Sequence, residues 1–184
     1  MFHILIPVAV LLLIALWVMS TYNQLVRLKL MAQEAWSGID VQLKRRYDLI
    51  PNLVEIVKGY SFHEKNILTD VTRLRTQSMQ ATTIKDKQVA ETELAGTLKT
   101  LFAVAENYPD LKANENYLAL QKELSFIEQE LQLSRRYYNG SVRNYVISIE
   151  QFPSNIIAKL FGFSGMSYFE ITTDQERSAP NIKF

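Results

Sequence analysis

Between Phe2 and Met19 the chain carries no Asp, Glu, Lys or Arg, and the stretch reads FHILIPVAVLLLIALWVM. Its apolar residues occupy every face of a helix, so no orientation leaves it a wet side. As a helix rising about 1.5 Å per residue it spans roughly 27 Å, close to the roughly 30 Å hydrocarbon core of a bilayer. The stretch therefore predicts one transmembrane anchor whose partner is membrane lipid, met by Ile4, Leu11, Leu12, Leu13 and Trp17. Pro7 falls in or near the first turn, where a missing N–H costs least. Trp17 and Tyr22 stand where an interfacial aromatic belt is expected. A cleaved signal peptide needs a basic leader and a small-x-small cleavage site, whereas only His3 precedes the apolar run and Trp17-Val18-Met19-Ser20 is a poor site. A mitochondrial transit peptide is rich in Arg, and this segment has none. Arg27 and Lys29 follow the segment closely and almost nothing basic precedes it. The positive-inside rule then puts the N-terminus outside and the remaining chain in the cytoplasm.

The 184 residues suffice for one domain with its own core beyond the anchor. Six Gly and five Pro are few, which suits long helices. Leu25, Leu28, Ala32, Ala35, Ile39 and Leu43 step by threes and fours, an amphipathic helix continuous with the anchor. Pro51 interrupts this pattern, and a proline inside a helix costs about 3 kcal/mol. Gly59 followed by Ser61-Phe62-His63-Glu64 is a rival stop, a C-cap glycine and then a capping box. The seam runs through Gly59 without a phase shift, which favours a reversal near Asp48–Pro51. Leu53, Val57, Tyr60, Ile67, Val71 and Leu74 resume the seam. Ala81–Asp86 reads as a loop, and Ala90, Leu94, Leu98, Leu101 and Ala105 as the next helix. Asn107-Tyr108-Pro109-Asp110 is a turn. The last helix carries Tyr117, Leu120, Leu124, Ile127, Leu131, Ser134, Tyr138, Ser141 and Tyr145, and Gln151-Phe152-Pro153 ends it. The fold class expected is all-α, an N-terminal transmembrane helix followed by an antiparallel up-and-down four-helix bundle with a short irregular C-terminal tail. The divisions are an anchor over 1–20, a helical bundle over 21–153, and an apolar segment with a mobile tail over 154–184. Tyr168–Ile171 reads as a short extended piece.

The residues offer little chemistry. There is no Cys, which excludes disulfides, Cys-ligated zinc and thiol catalysis. His63-Glu64 begins like a zinc-protease motif, but the second His would fall at Ile67. Gly162-Phe163-Ser164-Gly165 is too short for a phosphate loop and no Lys follows it. The sequence predicts no enzyme, metal or cofactor. A formal net charge of +1 gives no reason to expect nucleic acid. Lys44-Arg45-Arg46 is the sharpest charge cluster. It reads either as a wet helix face or as an interaction site together with Asp48. Consecutive residues fan over more than half of a helix, so Arg46 comes near the bundle-facing register, where its charge needs Asp48 or an acidic group of another helix. Trp36, beside the seam, reads as core. In the tail, Ile156, Ile157, Leu160, Phe161 and Phe163 form an apolar segment that packs on the bundle, docks a partner or sister copy, or lies on the membrane.

Three stretches, YNQLVRLKLMAQEAWSGIDVQLKRRYDLIPNLVEIVKGYSFHE from Tyr22, AENYPDLKANENYLALQ from Ala105 and SRRYYNGSVRNYVISIEQFPSNIIAKLFGF from Ser134, resemble the LemA family. Ser61-Phe62 departs from that pattern where small residues are common, and Val146 departs where Asn is expected. The resemblance implies a bacterial cytoplasmic-membrane protein with a four-helix bundle and no established activity, metal or cofactor. Relatives are linked to cell-envelope functions, membrane proteases and internal membrane formation. Function is therefore expected to lie in surfaces. One expectation is a membrane-anchored scaffold that forms homo-oligomers or organises envelope proteins or membrane shape. The other is an adaptor or regulator of a membrane protein such as a protease.

Overall fold

The computed structural model describes residues 2–60 and 65–170, with side chains from Leu5 onward. Six helices follow one another: α1 (Phe2–Tyr60), α2 (Lys65–Gln80), α3 (Ile84–Ala105), α4 (Pro109–Lys112), α5 (Glu115–Glu150) and α6 (Ser154–Leu160). No strand occurs among the described residues, so Tyr168–Glu170 is irregular rather than paired, and Ile171 lies outside them. The polar tail from Asp174 also lies outside them. α1 carries the apolar stretch and the first amphipathic stretch as one helix of 59 residues. That helix is long and apolar enough at its start to cross a membrane.

The expected reversal at Asp48–Pro51 does not occur, because α1 runs through Pro51 to Tyr60. Proline removes the N–H that would bond the carbonyl four residues earlier. That carbonyl belongs to Tyr47, and Arg75 of α2 donates its Nε–H to it at 2.7 Å. The orphaned acceptor is thus satisfied from another helix, and the main penalty of a buried unpaired carbonyl is removed. The rival stop at Ser61–Glu64 lies outside the described residues.

Two other boundaries differ from expectation. Only Ala81–Thr83 separates α2 from α3. The Thr83 hydroxyl accepts from the backbone N–H of Asp86 at 3.1 Å and donates to its carboxylate at 2.7 Å. This N-cap starts α3 inside the stretch that reads as loop. The Asn107–Asp110 turn contains the one-turn helix α4, with Pro109 at its first position and Leu111 fully buried. α5 then starts at Glu115, with the Asn114 side chain accepting from the N–H of Tyr117 at 3.0 Å.

Contacts divide the chain into two compact units. The first comprises the described residues of Met1–Ile39 and Ser134–Tyr168. There α1 and α5 run antiparallel, since the Trp36 ring meets Tyr138 at 5.3 Å while Trp17, Thr21 and Gln24 share a cleft with Ser148 and Gln151. Leu25, Ile157 and Ala158 form a buried cluster at this end, flanked by Val18, Ile149 and Phe163. Tyr138 and Tyr145 are fully buried and donate their hydroxyls to the carbonyls of Ser167 at 2.8 Å and Ser164 at 2.9 Å. These two bonds hold the irregular segment after α6 against α5.

The second unit comprises the described residues of Asp40–Leu133 and Phe169–Phe184. α2 and α3 pack along each other, with Leu68, Val71 and Leu74 buried from one and Leu94, Leu98 and Leu101 from the other. The end of α1 meets the residue that precedes α5, Asn114, whose amide donates to the Tyr60 hydroxyl at 2.9 Å. Lys87 of α3 pairs with Asp40 of α1 at 2.8 Å. Most positions of each seam are buried on the face that three-and-four spacing defines, whereas Tyr60, at the end of α1, is exposed.

Candidate functional site

The Lys44-Arg45-Arg46 cluster splits three ways because consecutive helix positions point about 100° apart. Lys44 pairs with Asp48 at 2.9 Å on an exposed face. Arg45 reaches Gln42 at 3.2 Å and Glu123 of α5 at 3.6 Å, also in solvent. Arg46 is 1% exposed and its partners are acidic groups on other helices, not Asp48. It donates to Glu128 of α5 at 2.8 Å and lies 3.3 Å from Glu91 of α3. Glu91 is also 1% exposed, whereas Glu128 reaches the surface.

Tyr47 completes the cluster by donating its hydroxyl to Glu91. Burial pushes the Tyr47 phenol well above its usual range, and the adjacent Glu91 carboxylate adds to the rise. The buried Ser78 of α2 neighbours the same phenol. The result is a polar centre in which α1 supplies a cation and a phenol, α3 and α5 a carboxylate each. Removing either member of a buried pair costs far more than removing a surface charge. The geometry suits fixing the register of three helices. Tyr47 keeps its proton at ordinary pH, and the cluster's carboxylates are already engaged by Arg46 and Tyr47. Among the described residues no group of three metal-ligating side chains converges. His63-Glu64 lies outside the described residues.

In the sequence Glu91 is inconspicuous, because a lone carboxylate on a helix reads as solvated. Its register carries the signal: it stands three residues before Leu94 and seven before Leu98, both core positions. A carboxylate at a core step of one helix and a guanidinium near a core step of another are a matched pair.

The tail segment divides by face. Ile157 is buried and Phe163 partly buried, while Ile156, Leu160 and Phe161 are exposed. Phe161 and Phe163 both meet the Tyr22 ring, with centroids at 4.9 and 5.7 Å. In the anchor, Leu11, Leu12, Leu13 and Trp17 are exposed, and the side chain of Ile4 lies outside the described residues. Trp17 borders a cleft of about 150 Å³ whose other walls include Thr21, Gln24, Ser148 and Ser154.

The chain matches the model of the LemA family over residues 35–184. It is similar to "Protein LemA" of Metamycoplasma hominis, 27% identical over 149 residues that cover 80% of this chain and 68% of that protein. It is also similar to "Magnetosome protein MamQ" of Magnetospirillum gryphiswaldense, 25% identical over 174 residues. "Magnetosome protein MamQ 1" of Paramagnetospirillum magneticum is 25% identical over 175 residues. The match covers about four fifths of this chain but only 64% of the length of each of these MamQ proteins. With the model spanning most of its length, the chain belongs to the LemA family.

Proposed function

We propose that this chain is a membrane-anchored helical scaffold that self-associates or organises cell-envelope proteins or membrane shape. The observation that carries this reading is the start of α1, where Leu11, Leu12 and Leu13 stand exposed on a helix that continues without a break into two packed units. Such a surface is stable in lipid and costly in water. In this reading the apolar segment crosses a bacterial cytoplasmic membrane once, with Arg27 and Lys29 on the cytoplasmic side. α1, α2, α3 and α5 then form an antiparallel up-and-down bundle, supported by the ion pairs and hydrogen bonds from α1 to each of the others. Two relatives are named for the magnetosome, which is consistent with a role in organising a cellular structure.

The test takes the full chain from membranes. An alkaline carbonate wash is expected to leave it in the pellet, and its mass in detergent is expected to exceed that of a monomer or to include a co-purifying protein. Release by carbonate would remove the anchor from this reading, and a strict monomer without a companion would remove the scaffold.

A further inference from the structure

α6 has two faces, and only one of them is used inside the protein. Ile157 and Ala158 are buried with Leu25. The other side presents Ile156 at 54% exposure and Leu160 at 73%, four residues apart along one stripe, while Phe152, in the turn before α6, is 80% exposed. Phe161, at 51%, extends it. Lys159 is the sole formal charge between Phe152 and Phe163. Three large apolar side chains exposed within six residues, on a helix whose opposite face is buried, mark a contact surface rather than scattered surface apolarity.

The position of α6 along α1 indicates what covers that surface. α6 packs at Val18 and Leu25, Phe161 meets Tyr22, and Ser154 shares the cleft at Trp17. It therefore lies beside residues 17–25, where the charge-free stretch ends. Those residues rise about 12 Å along the helix, similar to the roughly 5–10 Å depth at which interfacial helices lie. Trp17, exposed on α1, borders the cleft that Pro153 and Ser154 also line, so the end of the anchor lies beside the start of α6.

We infer that α6, with Phe152 and Phe161, is a membrane-contact foot that rests in the headgroup–acyl boundary of the bilayer crossed by α1. This inference rests on the membrane-crossing reading of α1. The outer stripe enters the boundary beside Trp17 and Tyr22. Lys159 directs its ammonium outward to lipid phosphate while its aliphatic stem stays against the apolar face. The Phe163 N–H to Ala158 carbonyl bond (2.9 Å) closes the end of the foot, and the Tyr145 hydroxyl, donating to the Ser164 carbonyl, ties the segment after it to α5.

Because the natural chain has no cysteine, single labels can be placed without other changes. Ile156→Cys and Leu160→Cys in the full chain carry a polarity-sensitive fluorophore in vesicles of phosphatidylethanolamine and phosphatidylglycerol. Leu12→Cys reports the anchor and Met79→Cys, exposed on α2, reports water. Both α6 labels are expected to be quenched by lipids bearing a nitroxide near the headgroup, and to resist aqueous iodide several-fold better than the Met79 label. Iodide quenching equal to that at Met79 overturns the foot. Protection from iodide without quenching by lipid also overturns it, because a protein surface then covers the stripe. When the Leu12 label is quenched by lipid and the α6 labels are not, only the foot falls; when Leu12 escapes as well, the membrane-crossing reading falls with it.

Discussion

Arg46 illustrates how one side chain holds three helices in register. It is as buried as a core leucine, yet it carries a charge that has to be balanced by Glu91 and Glu128. Arg46→Ala is expected to lose about 3–5 kcal/mol of unfolding free energy, because Glu91 is then left buried and uncompensated. Urea denaturation of the detergent-solubilised chain, followed by helical circular dichroism, measures this. Replacing Arg46 by Met together with Glu91→Gln removes both charges and retains an acceptor for Tyr47, so most of the loss is expected to return. A double variant as unstable as Arg46→Ala would show that the cation does more than balance Glu91. Pro51 makes a second point at this scale. Arg75→Met is expected to cost about 1–3 kcal/mol by leaving the Tyr47 carbonyl without a donor. In a Pro51→Ala background the restored backbone N–H takes over, and the same change should cost less than half as much. Equal costs in the two backgrounds would sever Arg75 from the proline. The sequence disclosed that Arg46 needed a partner, but not which one. Nor did it reveal Arg75, because the donor comes from 28 residues along the chain and a carbonyl has no sequence signature.

Among the elements, the long helices were legible because a buried face repeats every three or four residues, and the seam from Leu25 to Leu43 and from Tyr117 to Tyr145 gives the faces that are buried. The helix ends were less so. Pro51 reads as a stop because its local penalty is visible in the sequence and its remote compensation is not. Thr83 is hard to see as an N-cap because Asp86, at the third helical position, falls in a stretch that reads as loop. α6 is closed by Gly162, whose φ of +71° is in the left-handed region. Its N–H reaches the Lys159 carbonyl at 3.4 Å while Phe163 N–H reaches Ala158 at 2.9 Å, the paired bonds of a Schellman motif. Phe163 then packs on the Leu25–Ile157–Ala158 cluster, the apolar contact this motif favours. A Cβ at Gly162 meets no atom within 4 Å, so the cost of Gly162→Ala is backbone strain alone, about 1–2 kcal/mol. The expected outcome is faster amide exchange confined to α6 and the segment after it, with α2 and α3 unchanged. Exchange accelerated equally in α3 would mean that this turn supports more than its own end of the protein.

For the whole molecule the consequence of this packing is a pH limit. Burial raises the phenols of Tyr47, Tyr138 and Tyr145 above the usual value of 10, and these residues are drawn from both units. Below about pH 10 the phenols are protonated in folded and unfolded chains alike, so their contribution to stability is complete. As pH rises past that point, the unfolded chain releases protons that the folded chain still holds. Unfolding is then favoured by about 1.4 kcal/mol per pH unit for each phenol, until the raised folded value is reached. Deprotonating Tyr47 also sets a phenolate against the Glu91 carboxylate and removes the hydrogen bond between them. Thermal melts of the detergent-solubilised chain are therefore expected to be flat with respect to these groups up to pH 9 and to fall steeply between pH 10 and 11. Tyr47→Phe lowers stability at neutral pH by the lost hydrogen bond, yet it is expected to make the alkaline slope shallower by one phenol's share. Tyr138→Phe and Tyr145→Phe each remove a further share. They also free the segment around Ser164–Ser167, which becomes open to amide exchange at neutral pH. An alkaline slope unchanged in all three variants would show that these phenols do not set the limit.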